Sequence, residues 1–306
     1  MRLVTRSDFD GLGCAAILKE LDLIDDIKFV HPKDVQDGLV KVDSNDILAN
    51  IPYVKGAGMW FDHHSSEDER KEYDEFAGKC DATALSAARV IYDYYGGLGH
   101  FRNPHLDSLV KAVDKADSAL FTVEEILNPE GWVLLSFIMD PRTGLGRYRD
   151  YRISNYVLMM DMIDYCREKT STAILKIPDI QERVDRYFEQ TQIFKEMLLQ
   201  NSTVKGNVVI VDLCEQEEIF AGNRFLLYSL FPKQQSSVRI MWGFRRQNIV
   251  ITGAHSVVNS LATVDIGSLM LKYGGGGHKR AGTCQVPVGD ADTVLAEVVA
   301  VLNTRE

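Results

Sequence analysis

Leu3-Val4-Thr5-Arg6-Ser7-Asp8-Phe9-Asp10-Gly11-Leu12-Gly13 opens the chain with a short apolar run that leads directly into two aspartates and a glycine. A strand is read over Leu3–Thr5 and a helix over Cys14–Leu23. Strand signals recur at Lys28–Val30, at Asp46–Ile51 and at Gly58–Phe61, the last ending on Asp62-His63-His64. Helices are predicted over about Thr83–Tyr95 and over Leu106–Ala119. Strands that alternate with helices imply parallel βαβ units, with ligands outside the carboxyl ends of the strands. The expected fold is α/β: an N-terminal, mainly parallel, doubly wound sheet, a linker helix, and a smaller C-terminal α/β domain.

Ile180, Val184, Tyr187, Phe188, Thr191, Phe194, Met197 and Leu198 recur at helical spacing, so Ile180–Leu198 reads as the linker helix. The polar run Gln200-Asn201-Ser202-Thr203 suits a linker, and the strand–helix pattern restarts after it. Strands are predicted at Val208–Leu213, Val238–Phe244 and Asn248–Gly253, with helices at Gly222–Phe231 and Ile266–Tyr273. After the run GGGGH, a strand and a helix close the chain. A boundary near residue 200 gives domains over 1–200 and 201–306, as a length of 306 residues suggests.

Composition narrows the function. Hydrophobic residues make up 45% and charged residues 25% of the chain, which is ordinary globular usage. A net charge of −10 argues against a broad electrostatic footprint for long nucleic acid, while leaving room for a short anionic substrate. The five cysteines are scattered without a C-x-x-C pair, as expected of reduced, mostly buried thiols. No apolar run approaches a membrane span, Tyr156–Ile163 being broken by Asp161, and Asp8 and Asp10 spoil any signal-peptide core. A cytoplasmic protein without membrane partners is the expectation.

Three clusters could carry chemistry. Asp8-Phe9-Asp10-Gly11 offers a hard-ligand pair for Mg²⁺ or Mn²⁺, although Asp-x-Asp-Gly is also ordinary turn chemistry. Asp62-His63-His64 ends an apolar strand; neighbouring rings on extended chain point opposite ways, so one imidazole suits a metal and the other a substrate, with a carboxylate orienting a ring. Gly274-Gly275-Gly276-Gly277-His278-Lys279-Arg280 reads either as a flexible loop or as a backbone cradle for phosphate flanked by cations. Arg142, Arg147, Arg149 and Arg152 lie within one loop and could meet phosphate or simply face solvent. Trp132 and Trp242 read as core, and Ser66–Asp74 as a solvated segment.

Together the three clusters, in this order over nearly the whole chain, resemble the DHH phosphoesterase family. The resemblance implies a Mn²⁺- or Mg²⁺-dependent hydrolase with one or two ions, a cleft between its domains and a homodimer. Its substrate would be a short nucleotide, oligonucleotide or polyphosphate. By resemblance Asp8, Asp10 and His63 are metal ligands and His64 faces the scissile phosphate, with Asp62 and Arg6 counted beside it as catalytic residues. Asp114, preferred to Asp117, is the helical ligand, and Gly275, Gly276, Gly277, His278 and Arg280 grip the substrate.

Departures from that pattern are informative. The family's first motif usually has a histidine ligand two residues before the first aspartate, where this chain has Arg6, whose guanidinium cannot coordinate a cation. Asn50 stands where a bridging aspartate is usual and offers one neutral oxygen as a fourth metal ligand, a poor bridge for two dications, and His255 is read at the place of a substrate-binding arginine. Arg6 and Asn50 together predict a weakened, one-metal site, with Arg6 taking part of the lost electrostatic role beside the phosphate and pairing with Asp8. Two other readings stay open: a catalytically impaired nucleotide-binding module, and a haloacid-dehalogenase-type phosphatase with Asp8 as nucleophile, which leaves the histidine pair and glycine run unexplained.

Overall fold

The computed structural model describes residues 1–64 and 75–304. The run Ser66–Asp74 lies outside them. The described chain divides into two compact units, one of residues 1–120 and 129–186, the other of residues 121–128 and 187–306.

The first unit contains strands β1 (Arg2–Thr5), β2 (Asp26–Phe29), β3 (Asp46–Ala49), β4 (Met59–Asp62) and β5 (Gly78–Cys80) in one sheet of order β2-β1-β3-β4-β5, with every pairing parallel. Its helices are α1 (Phe9–Glu20), α2 (Pro32–Gln36), α3 (Ala87–Tyr94) and α4 (Pro104–Asp117). After α5 (Val123–Leu127), which belongs to the second unit, come α6 (Gly131–Met139), α7 (Asn155–Glu168), α8 (Ser171–Ile174) and α9 (Pro178–Gln200). Helix α9 starts in the first unit and ends in the second.

Parallel strands are apolar on both faces when both are covered, and the register sorts their side chains. Val4, Leu48 and Trp60 lie in line and pack with Val35, Val40 and Ile51. Leu3, Ile47 and Phe61, of the opposite parity, are also buried. Helix α1 is buried from Phe9 to Leu18 and packs against α3, α4 and α7. The strand order reverses between β1 and β3, so the segments after those strands flank the switch point where open α/β sheets bind ligands.

Helix α1 begins at Phe9, ahead of the expected start at Cys14. Asp8 caps it by accepting the Gly11 amide at 2.9 Å, which puts Asp10 in the first turn. Gly11 suggested a longer loop, but it is needed for a close approach: a Cβ there would stand 2.1 Å from the Arg6 carbonyl oxygen.

The second unit is built on a mixed sheet of β6 (Ser202–Lys205), β7 (Val208–Asp212), β8 (Ser236–Trp242), β9 (Ile249–His255), β10 (Gly276–His278) and β11 (Ala281–Val286), in the order β10-β11-β9-β8-β7-β6. Helices α10 (Leu226–Leu230), α11 (Ile266–Leu271) and α12 (Ala291–Leu302) complete it. Val208, Ile210, Val238, Ile240 and Ile251 share one core with residues of α11 and α12. Val209 and Val211 face the other way, onto Phe194, Met197 and Leu198 of α9. The stretch read as a linker becomes in part an edge strand, because Gly206 at φ +60° turns Ser202–Lys205 back onto β7. An edge strand tolerates such polar residues. Among the described residues no helix is long and apolar enough to cross a membrane.

Candidate metal centre and phosphate site

The segments that follow β1, β3 and β4 bring Asp8, Asp10, Asn50, Asp62, His63 and His64 to one end of the parallel sheet. Asp10 is 2% exposed, and its carboxylate is fixed by the open end of α3. Oδ2 accepts the Ala87 amide at 2.9 Å and Oδ1 accepts the Ala88 amide at 2.8 Å. These are orphan donors of a helix N-terminus, the natural seat of a carboxylate. His63 Nε2 lies 3.7 Å from Asp10 Oδ2 and 3.2 Å from Asp117 Oδ2, and this buried nitrogen makes no well-formed hydrogen bond. One atom each from Asp10, His63 and Asp117 falls within 4.8 Å of the others.

The charges record the crowding. Burial and the neighbouring charge of Asp117 push the Asp10 carboxyl up to about 7. Burial acts to lower His63, but Asp117 and Asp10 outweigh it and hold the ring at about 9. For Asp117, burial acts upward and the adjacent His63 carries the balance downward. A divalent cation fits this set: it would bind the carboxylate oxygens and the imidazole nitrogen and displace their protons. A cavity of about 30 Å³ lined by Asp8, Asp10 and Asp117 leaves room for a small ion beside them.

Asp114, the expected helical ligand, is engaged by other partners. Its Oδ1 accepts from Ser86 Oγ at 2.7 Å, and its Oδ2 accepts from Arg89 Nε and Nη2 at 3.0 and 2.8 Å. Ser86 is the N-cap of α3, so Asp114 anchors the turn whose amides hold Asp10. Asp117, at the end of α4, is the residue that meets His63.

Asp8 is engaged by three neighbours. Oδ1 accepts from Gly11 N at 2.9 Å and from Asn50 Nδ2 at 3.1 Å, while Oδ2 lies 3.0 Å from Arg6 Nε. Burial raises the Asp8 carboxyl and Arg6 opposes the rise. Asn50 is buried at φ +57°, a left-handed conformation that asparagine tolerates better than most residues. It serves here as a donor tying the end of β3 to Asp8.

The two histidines divide. His63 turns to the carboxylates, whereas His64 donates through Nδ1 to Asp62 Oδ1 at 2.8 Å. The same Asp62 oxygen accepts the His63 amide at 2.9 Å. Burial lowers His64, and Asp62 more than compensates, so the ring is raised above its ordinary value. Of the four loop arginines, Arg142 lines the cavity with Asp8 and Asp117, held by Asp140 at 2.7 Å; Arg152 instead lies 3.5 Å from Asp179.

In the second unit the glycine run forms a strand and tight hairpin rather than an open loop. Gly277 adopts φ +151°, and a Cβ there would stand 2.3 Å from the Ala281 carbonyl oxygen. Gly275 is packed as closely on Thr283, while Gly276 borders open space and His278 and Arg280 are exposed. His255, expected at the substrate, is buried with both ring nitrogens engaged: Nδ1 meets Ser236 Oγ at 3.0 Å, and Nε2 donates to the Val264 carbonyl at 2.7 Å. Sequence reading missed Arg239. Burial lowers its guanidinium, which is half-buried and has no salt bridge among the described residues, and its charge, with those of Arg224 and Arg280, acts on the buried Tyr228. Its position inside β8, among apolar residues, was the available signal.

Comparison with solved structures places the chain among known folds. It is 48% identical to the pGpG-specific phosphodiesterase PggH of Vibrio cholerae, with a TM-score of 0.84 over 99% of this chain and 98% of that one. An exopolyphosphatase-related protein of Bacteroides fragilis shares the fold at 13% identity and a TM-score of 0.53, over 99% and 92%. So does RecJ of Thermus thermophilus in complex with Mg²⁺, at 13% identity and 0.54, over 98% of this chain and 49% of RecJ. No family model and no curated protein sequence matches the chain.

Proposed function

The chain belongs to the DHH family of phosphoesterases, and we propose that it is a one-cation phosphodiesterase that hydrolyses short 5′-phosphorylated dinucleotides of the pGpG type. The observation that carries this reading is the grouping of Asp10, His63 and Asp117, one ligand atom from each lying within 4.8 Å of the others. The 48% identity to a pGpG-specific phosphodiesterase supports the substrate class. Mn²⁺ is the favoured ion, with Mg²⁺ the alternative, and a bound ion would supply Lewis-acid polarisation of the phosphoryl group.

The chain's own residues supply the rest. Arg6 uses Nε on Asp8, leaving its Nη donors to a non-bridging phosphoryl oxygen. Asp62 fixes the His64 tautomer and favours its charged form, so His64 can hold the phosphate and return a proton to the leaving oxygen. Asp8 positions Arg6. In the second unit Arg239, Arg280 and His278 would hold a phosphate, the hairpin glycines keeping the backbone low around it.

Saturation of Asp8 by Arg6, Asn50 and Gly11 favours a single ion; it also favours a second reading, a nucleotide-binding module with impaired catalysis. Hydrolysis of pGpG and bis-p-nitrophenyl phosphate, with Mn²⁺ titrated against EDTA, separates the two. Turnover that requires Mn²⁺ and is lost in His63→Ala is expected, with one ion per chain by elemental analysis. Tight pGpG binding without turnover would select the binding module.

A further inference from the structure

A cavity of about 680 Å³ lies against Arg6 and Asp8, bordered by the end of β2, helix α2 and the turn at Pro141. Sites for small organic ligands run from roughly 300 to 1,000 Å³ and combine apolar walls with a few directed polar groups. Here Phe29, Leu39 and Val40 provide apolar surface, and Arg6 and Arg142 provide donors at the end nearest Asp8. The remaining carboxylate of the lining is Asp34, whose side chain has no hydrogen-bond or salt-bridge partner among the described residues. Besides Asp8, Lys28 and His31, the lining thus holds one further acceptor-only group, the exposed Asp34, in a space of a size suited to a flat ring and a phosphate.

We propose that this cavity seats a guanine nucleoside of the substrate, its phosphate reaching Arg6, with Asp34 reading the base. The assignment rests on the phosphodiesterase reading above. Guanine presents an N–H and an amino group side by side, and a carboxylate accepts both. Adenine sets a ring-nitrogen acceptor beside its amino group, which would oppose a carboxylate lone pair. Because Asp34 is exposed, the discrimination comes from the paired hydrogen bonds that its charged carboxylate makes to guanine and cannot make to adenine. Leu39 is 73% exposed and forms part of the wall, so enlarging it narrows the cavity without touching the core.

Calorimetric titration of the full chain with GMP and AMP, in the presence of Mn²⁺, tests this independently of turnover. Wild type is expected to bind GMP about 10- to 100-fold more tightly than AMP. Asp34→Ala should bring that ratio towards one, and Leu39→Trp should weaken both nucleotides. Equal binding of GMP and AMP by wild type, or a preference unchanged in Asp34→Ala, overturns the assignment. Failure of the phosphodiesterase reading shows separately: no Mn²⁺-dependent cleavage of pGpG, with the GMP preference and its loss in Asp34→Ala still present, keeps the cavity assignment and rejects catalysis.

Discussion

At Asp117 the carboxylate lies 3.2 Å from His63 Nε2, whereas Asp114, three residues earlier, is bound to Ser86 and Arg89. Asp117→Asn should abolish measurable Mn²⁺ binding and lower kcat/KM at least about 100-fold, or about 2.7 kcal/mol of transition-state stabilisation. Asp114→Asn should instead cost about 1–3 kcal/mol of stability while the protein still binds Mn²⁺. Elemental analysis and urea melts of both variants distinguish the two roles, and metal loss in Asp114→Asn alone would reverse the assignment. The pair was not separable in sequence. Residues three apart on a helix differ by only about 60° in direction and ~4.5 Å in height, so the partner each meets is set by the neighbouring strand and helix. His255 gives a pH prediction. Burial lowers its pKa in the folded chain, so the unfolded chain binds the extra proton below about 6.5, and stability falls as pH drops through that value. Thermal melts from about pH 7.5 to about pH 5 should show this loss in wild type and less of it in His255→Gln.

The elements around the site depend on a few close approaches. Gly11 lets α1 start directly behind β1, and a methyl group there would meet the Arg6 carbonyl. Gly11→Ala should therefore cost about 2–3 kcal/mol and disturb Asp8, whose cap bond comes from the Gly11 amide. A Tm lowered by several degrees is expected; an unchanged Tm would mean the turn can relax without loss. The first four strands and helices α1, α3, α4 and α9 were legible because apolar runs and helical spacing are local signals, whereas α6 and α7 were not singled out. Several elements were not: β5, β6, β10 and the short helices α2, α5, α8 have few residues, and their pairing or packing partners are distant in sequence. The glycine run was legible as a special place, but its shape as a hairpin follows from pairing with β11, which places Gly277 opposite Gly282.

For the whole molecule, the proposed cation site of Asp10, His63 and Asp117 lies in the first unit, so a bound ion should stabilise that unit alone. Mn²⁺ at about 100 times its Kd adds about 2.7 kcal/mol to the state that binds it. Calorimetry is expected to resolve a transition that rises with Mn²⁺ and falls with EDTA, and a second that responds to neither; Asp117→Asn should remove the response. A rise of both transitions together would show that the units melt as one. The sequence by itself determined the α/β class, the restart of the pattern in the last third, and the family, because strand ends, turn glycines and His-His spacing are contiguous features whose chemistry travels with the chain. It also located Asp8, Asp10, His63 and His64 at carboxyl ends of strands. Only the tertiary structure decided that Asp117 and not Asp114 meets His63, that Asp8 is engaged by Arg6 and Asn50, that His255 lies in the core, and that Arg239 is a half-buried cation without a salt bridge among the described residues. Each of these is a choice among partners remote in sequence, made by side-chain direction, burial and desolvation once the elements have packed.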